Sequence, residues 1–190
     1  MFVQPSGPRH TAEDDGTTLR LTIPAKRNVF LIAFLSFWLC GWAFGEIMAP
    51  VGIFSAKKDP GASVFILVWL CAWTTGGGFA IYIWLWMLRG REIVSISPTT
   101  LAIKRDLFGA GRTKNYDITK VSRLRFAPAT YNPFDWHRSM AFWGLGGGVI
   151  AFDYGYSTIR FGTGLDDAEA EHILQRIRAR FPQLATKNET

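Results

Sequence analysis

The sequence has few of the residues from which catalytic and metal sites are built. Its 190 residues include only two cysteines and three histidines. His10 falls in a polar tail and His172 on a predicted helix, with no second His or Cys at metal-ligand spacing. Asp135, His137 and Arg138 lie close together, but no nucleophile stands at triad spacing from them. We therefore expect no enzyme activity, no metal site and no cofactor.

The glycine-rich and basic stretches do not indicate a nucleotide or nucleic-acid site. Gly144-Leu-Gly-Gly-Gly148 precedes a predicted strand, whereas a phosphate loop opens a helix and carries Lys followed by Ser or Thr. The net charge is +6, of which +5 follows Leu88. Charge placed after apolar segments is typical of membrane topology and of contact with anionic headgroups. No nucleic-acid partner is expected.

Two long apolar segments dominate the first half of the chain. Asn28–Ala49 and Ala62–Leu88 contain one acidic or basic residue between them, Glu46. About 20 apolar residues cross a hydrocarbon core of about 30 Å as a helix, so we interpret residues 28–88 as a transmembrane hairpin that is retained as an anchor. Both cysteines lie inside these segments and indicate no disulfide framework.

The flanking charges predict the orientation of the hairpin. Lys and Arg at cytoplasmic flanks outnumber those on the other side. Eight lie before and after the hairpin and two lie in its loop, so we expect both termini to be cytoplasmic. They are Arg9, Arg20, Lys26, Arg27, Arg89, Arg91, Lys104 and Arg105, against Lys57 and Lys58.

A five-residue pattern occurs once in each apolar segment, as Trp38-Leu-Cys-Gly-Trp42 and as Trp69-Leu-Cys-Ala-Trp73. Counted from the loop, the two cysteines fall at similar depth, and on a helix each lies opposite its tryptophans. Close helix approach favours small residues, so we expect the cysteine faces to pack and the indoles to form an outward docking face; the alternative is that the tryptophans are bulky packing residues. The packing residues are Cys40, Gly41, Cys71, Ala72 and Gly76; the docking residues are Trp38, Trp42, Trp69 and Trp73.

Glu46 is placed by this scheme within about one turn of the outer end of its segment. There a carboxylate can reach the headgroups or pair with Lys57 or Lys58 in the loop. The alternative is an intramembrane proton or ion site.

Outside the hairpin the pattern changes to short alternating strands. Residues 1–27 are interpreted as a disordered tail with one strand, Thr17–Ile23, which we expect to join the edge of a sheet formed by residues 89–190. The later strands are Glu92–Ser97, Leu101–Leu107, Thr113–Ile118 and Lys120–Phe126, as one antiparallel meander, then Val149–Asp153 and Tyr156–Phe161. A helix from Asp167 to about Phe181, capped by Asp166, closes the chain.

Two sets of residues in this domain are candidate contacts. The long aromatic stretch from Phe134 to Leu145 predicts a partner or membrane contact through Phe134, Trp136, Phe142 and Trp143, unless residues 140–143 are one more buried strand. Basic residues along the strands predict anionic-lipid binding, with solvated strand faces as the alternative. These are Arg112, Lys114, Arg123 and Arg125.

A meander, a hairpin and one C-terminal amphipathic helix resemble, in this order, the pleckstrin-homology-like fold over residues 92–181. The whole chain is similar to uncharacterised bacterial inner-membrane proteins in which a two-helix hairpin carries such a domain. The segments that carry the similarity are Ile23-Pro-Ala-Lys-Arg-Asn28, Gly41-Trp-Ala-Phe-Gly-Glu46 and Arg160-Phe-Gly-Thr-Gly-Leu-Asp-Asp-Ala-Glu-Ala170. The resemblance implies the fold and an inner-membrane location, and no activity.

The sequence as a whole predicts an α+β membrane protein with a transmembrane hairpin and a small antiparallel β domain capped by one helix. We expect a non-catalytic interaction module, an assembly factor or accessory subunit of a larger inner-membrane complex. Its partners would be the bilayer and another membrane protein or a second copy of the chain. The alternatives are a lipid sensor or lipid-handling protein that uses the basic strands and, last, an enzyme or pore.

Overall fold

A computed structural model describes residues 10–55, 60–128, 146 and 148–186. The chain forms two compact units. One is Arg27–Leu88; the other joins Met1–Lys26 to Arg89–Thr190, so residues from both sides of the first unit build the second. The α+β class with antiparallel sheets is confirmed.

The unit of residues 27–88 consists of two long helices, α1 (Val29–Ser55) and α2 (Pro60–Arg89). The Asn28 side chain caps α1 by accepting a hydrogen bond from the backbone N–H of Leu31 at 3.2 Å. Both helices contain a segment long and apolar enough to cross a membrane, and 11% of each segment is buried, whereas the core helix of a soluble protein is mostly buried. Helix α1 extends six residues past the predicted end at Ala49.

The first sheet of the other unit has the order β1-β2-β3-β4-β5, antiparallel throughout. The alternation of Leu19, Leu21 and Ile23 with polar residues forms β2, and all three side chains are buried. Its strands are β1 (Thr11–Asp14), β2 (Leu19–Pro24), β3 (Arg91–Ile96), β4 (Thr100–Asp106) and β5 (Thr113–Asp117).

The pairing of β2 with this sheet is as expected, but its edge position is wrong. Residues 11–14, which we interpreted as disordered, form β1 and cover the outer edge of β2. Asp15 makes the connecting turn by accepting backbone hydrogen bonds from Thr17 and Thr18 at 2.9 and 2.6 Å. These bonds lower the pKa of the Asp15 carboxyl below its ordinary value.

The second sheet has the order β6-β7-β8, formed by β6 (Val121–Phe126), β7 (Ile150–Tyr154) and β8 (Ser157–Phe161). A single meander from residue 92 to residue 126 is therefore wrong. A 3-10 turn at Ile118–Lys120, capped by Asp117, ends the first sheet, and β6 pairs with β7 instead of β5. Ile118, Val121 and Leu124 all enter the core.

Helix α3 (Asp167–Arg180) begins with the expected capping box between Asp166 and Glu169. Its predicted apolar stripe is buried in one core with side chains of both sheets, and a short helix α4 (Gln183–Thr186) follows. Arg178 on α3 donates a hydrogen bond to the Leu124 carbonyl of β6 at 2.9 Å. The stripe consists of Ala170, Ile173, Leu174, Ile177 and Phe181.

Candidate functional site: the helix pair and the sheet end that carries it

The contact between α1 and α2 is built on Trp42 and Gly77. The Trp42 indole occupies the space above Gly77, where an added Cβ would overlap the ring. From there its Nε1–H donates to the Trp73 carbonyl oxygen at 3.2 Å. A glycine thus lets a large side chain reach the backbone of the opposite helix, and the indole N–H finds an acceptor that lipid tails do not offer.

Three other tryptophans surround this contact. Trp73 packs its ring 3.6 Å from the position that a Cβ at Gly45 would occupy. Its ring centroid lies 4.9 Å from that of Trp69 and 6.1 Å from that of Trp38. Indole rings at these separations attract one another in addition to the surface that they bury. Trp69 and Trp73 both lie on α2, so of these ring contacts the one between Trp38 and Trp73 joins the two helices.

A second inter-helix hydrogen bond lies nearer the ends where the chain enters and leaves this unit. Trp84 Nε1–H donates to Ser36 Oγ at 2.8 Å, and the Ser36 hydroxyl donates to the Ile32 carbonyl at 2.8 Å. At the same ends the Arg27 guanidinium donates to the Leu88 carbonyl at 3.3 Å. These three bonds pair polar atoms that would be unsatisfied in hydrocarbon.

The prediction that the cysteine faces pack together while the tryptophans point outward is wrong. Cys40 and Cys71 are exposed, and a Cβ at Gly41 or Gly76 would meet open space. Ala72 is likewise exposed. The physical reason is that the two helices approach each other at one glycine each, Gly45 of α1 and Gly77 of α2. An indole of the opposite helix packs over each of these glycines. The outward docking face of four tryptophans is therefore withdrawn, although Trp69 remains 44% exposed.

The two cysteines also lie at different levels. Contacts join residue 36 to 84, 42 to 77 and 46 to 74. The helices are therefore antiparallel, and the numbers of two facing residues add to about 119. By this register Cys40 stands at the level of Phe79, eight residues beyond Cys71. Eight residues of helix correspond to roughly 12 Å, well beyond the Cα separation of about 7 Å that a disulfide tolerates.

Glu46 lies between the helices. Thr74 Oγ1–H donates to its Oε1 at 2.5 Å, and among the described residues Oε2 is buried without a hydrogen-bond partner. Helix α1 continues nine residues past Glu46 to Ser55, but the segment long and apolar enough to span a membrane ends at Ala49, so Glu46 keeps its predicted place within one turn of that end. Lys57 and Lys58 lie outside the described residues. An intramembrane proton or ion site at Glu46 stays a prediction.

The sheet end at which the helix unit is inserted is fixed by a buried carboxylate. Glu92 lies on β3 on the same inward face as Val94 and Ile96. Its side chain is 4% exposed. Its Oε2 accepts the backbone N–H of Gly162 at 2.7 Å and that of Thr163 at 3.4 Å. Burial raises the pKa of this carboxyl above its ordinary value, against the lowering effect of the Gly162 N–H.

The loop that Glu92 holds also contacts the last residue of β2. A Cβ at Gly164 would overlap the Pro24 carbonyl, so only glycine permits this approach. These contacts explain the segment Phe161-Gly-Thr-Gly-Leu165: its glycines receive Glu92 and Pro24 beside the point where the chain leaves the sheet for α1. Sequence reasoning missed Glu92, whose signal was an acidic residue at an inward strand position.

A second carboxylate, that of Asp106, lies at the same end of the sheet. Asp106 is buried, with Oδ2 2.7 Å from Arg91 Nε and Oδ1 2.8 Å from Lys104 Nζ. Lys104 Nζ also donates to the Gly109 carbonyl at 3.0 Å, which ties the β4–β5 turn to the pair. The Lys104 and Arg91 hydrogen bonds hold the pKa of Asp106 below its ordinary value.

We expect Asp106→Asn to destabilise the full-length protein in detergent by about 1–2 kcal/mol at neutral pH, since Arg91 and Lys104 stay partly exposed and can return to water. The lowered pKa means that the wild-type stabilisation is present above pH 3.8 and is lost as pH falls through the folded-state pKa. Melting curves from neutral to acid pH measure it. A variant that loses as much stability in acid as the wild type would contradict this role.

The four predicted lipid-binding residues belong to different sheets. Arg112 precedes β5 and Lys114 lies on it, both exposed, whereas Arg123 and Arg125 lie on β6. Arg125 forms a two-pronged ion pair with Asp153, at 3.0 and 3.1 Å, which lowers the Asp153 pKa. Arg125 is thus engaged within the domain, and no contact among the described residues brings the four together.

The aromatic contact Phe134, Trp136, Phe142 and Trp143 lies outside the described residues, as do Asp135, His137 and Arg138. Within the part of the chain that the structure describes, no group of three or more His, Cys, Asp or Glu could hold a metal ion.

No protein-family model, curated protein or solved structure matches this chain.

Proposed function

We propose that this protein is a membrane-anchored, non-catalytic interaction module that serves as an accessory subunit or assembly factor of a larger inner-membrane complex. The observation that carries the proposal is the outer surface of the helix pair. Phe30, Phe37, Phe44 and Phe65 are 80%, 83%, 67% and 70% exposed, next to other bare aliphatic side chains. Soluble proteins rarely expose an apolar patch of this extent, so the surface requires lipid or a second membrane protein.

The soluble unit supports a pleckstrin-homology-like assignment, which forms part of the proposal. Four antiparallel strands β2–β5, then three strands β6–β8, then one helix packed on the core follow the strand order of that fold. In this assignment the helix pair is an insertion between the first two strands of the domain. A domain of this kind that carries its own anchor suits the presentation of a binding surface beside a membrane.

The charges at the insertion point support an inner-membrane location with both termini cytoplasmic. Lys26 and Arg27 precede α1, and Arg89 and Arg91 stand at the other link. The positive-inside rule assigns this side to the cytoplasm.

Site-specific photo-crosslinking in cells tests the partner. A photoreactive residue at Phe44 on the exposed face is expected to yield an adduct with one defined membrane protein or with a second copy of the chain. The same residue at Ile83, which is 2% exposed, is the matched control and is expected to yield none. Only lipid adducts at Phe44, Phe37 and Phe65 would contradict an interaction module and favour the second candidate, a lipid-handling protein.

A further inference from the structure

The β4–β5 turn presents an apolar side chain at a strained position. Leu107 and Ala110 exchange backbone hydrogen bonds at 2.8 and 3.0 Å around Phe108 and Gly109, whose φ angles are 54° and 86°. Such two-residue turns favour Asn or Gly at the first central position. The left-handed conformation costs an ordinary residue about 1 kcal/mol or more. Phe108 is nevertheless 66% exposed, so packing within the domain does not explain it.

The turn lies at the sheet end through which the chain passes to the helix unit. Pro24, Arg91 and Asp106 are register partners across β2, β3 and β4, and the turn follows Asp106 directly. Only residues 25–28 separate β2 from α1, and only Gly90 separates α2 from β3. The sheet end is therefore only a few residues along the chain from the start of α1 and from the end of α2.

The charge around the turn is positive. Arg105 and Arg112 stand on either side of it, next to the paired residues Lys104 and Thr113, and both are exposed. Neither forms an ion pair with any residue that the structure describes, although Arg105 also lies opposite Glu92 across the strands. The Asp106 charge is matched by Arg91 and Lys104. An exposed aromatic ring between two exposed guanidinium groups is complementary to anionic lipid at the boundary of headgroups and acyl chains.

We propose that Phe108 inserts into the interface of the bilayer that holds α1 and α2, while Arg105 and Arg112 bind anionic phospholipid headgroups beside it. This inference rests on the proposed membrane anchoring. It assigns the strain at Phe108 to a lipid contact that presses the sheet end onto the membrane surface.

Lipid quenching of a fluorophore tests the insertion. The full-length protein, with Cys40 and Cys71 replaced by Ala, receives a single cysteine as Phe108→Cys and is labelled with an environment-sensitive dye. It is reconstituted into phosphatidylcholine vesicles that contain phosphatidylglycerol and brominated-chain lipid. Thr99→Cys is the matched control, since Thr99 is exposed in the turn at the opposite end of β3 and β4. The dye at 108 is expected to be quenched several-fold more strongly than the dye at 99.

Equal quenching at the two positions would overturn the inference. A dye at 108 that is shielded from an aqueous quencher but untouched by brominated lipid would reveal a protein contact and would also overturn it. Arg105→Gln with Arg112→Gln is expected to abolish most of the quenching at 108, and unchanged quenching would overturn the assignment to anionic lipid.

Flotation of the same vesicles after an alkaline wash separates the two proposals. Labelled protein that floats while the dye at 108 is unquenched leaves the anchoring intact and removes only the Phe108 contact. Protein that fails to float removes the anchoring, and with it this inference.

Discussion

Gly77→Ala is expected to lower the thermal stability of the helix pair by about 1–3 kcal/mol, the usual effect of overpacking a filled interface. The added methyl group would overlap the Trp42 ring and force the indole away from the Trp73 carbonyl. Thermal unfolding of the full-length protein in mild detergent, followed by tryptophan fluorescence, measures the change, because the displaced residue is itself a reporter.

Gly76→Ala is the matched control on the neighbouring residue. A Cβ at Gly76 meets open space, and alanine is about 1 kcal/mol more favourable than glycine inside a helix. The control is therefore expected to melt at the same temperature or higher, so the two alanines shift stability in opposite directions. Equal shifts, or a larger loss at Gly76, would contradict the observed packing face.

Glu92→Ala is expected to destabilise the β-sheet unit by about 1–3 kcal/mol, because it leaves the buried Gly162 N–H without its acceptor. Glu92→Gln keeps an acceptor oxygen and removes the charge. The pKa of Glu92 is raised in the folded state, so the folded protein binds this proton more readily than the unfolded chain. Its contribution to stability is complete below pH 4.5 and is lost as pH rises through the folded-state pKa.

The pH profile therefore separates Glu92 from the other carboxylates. Each unit by which burial raises its pKa removes about 1.4 kcal/mol of stability at higher pH, and Glu92→Gln is expected to abolish this decline. Asp106 and Asp153, whose pKa values are lowered, act in the opposite direction and below pH 3.8. Melting curves from about pH 4.5 to pH 8 test it, with Glu171→Gln on an exposed helix position as the control. A decline that persists in Glu92→Gln would contradict the assignment.

The existence of the helices was predictable because span length and lack of charge are local properties. Their contact was not, since helical periodicity separates Trp42 from Cys40 without deciding which of the two faces the partner. A usable signal was present: Leu31, Leu35, Trp38, Trp42 and Gly45 recur at alternating spacings of four and three, as in a helix–helix seam. The depth of the cysteines was mistaken because the contacts of Trp42 with Gly77 and of Trp84 with Ser36 set the register of the helices, and counting from the loop does not give it.

The strands of the β-sheet unit were mostly predictable from alternation, and their pairing partners were less so. Whether β6 pairs with β5 or with β7 is decided by contacts distant in sequence. The 3-10 turn between β5 and β6 has no alternating pattern that would show the first sheet ending there. The edge position of β2 was mistaken because residues 11–14 are mostly polar, and Ala12 alone is too weak a signal to distinguish a strand from a tail.

Cross-linking of thiols in carbonate-washed membranes tests the central claim, a membrane hairpin closed through Trp42 and Gly77, most directly. With a short bifunctional thiol reagent, Glu46→Cys with Thr74→Cys, in a chain whose native cysteines are replaced by Ala, is expected to link the two helices, because these side chains are in contact. The native pair Cys40 and Cys71, exposed and roughly 12 Å apart along the helices, is expected to remain unlinked within the chain while both thiols react with a membrane-permeant reagent. An efficient intramolecular Cys40–Cys71 link, with none between positions 46 and 74, would contradict the account.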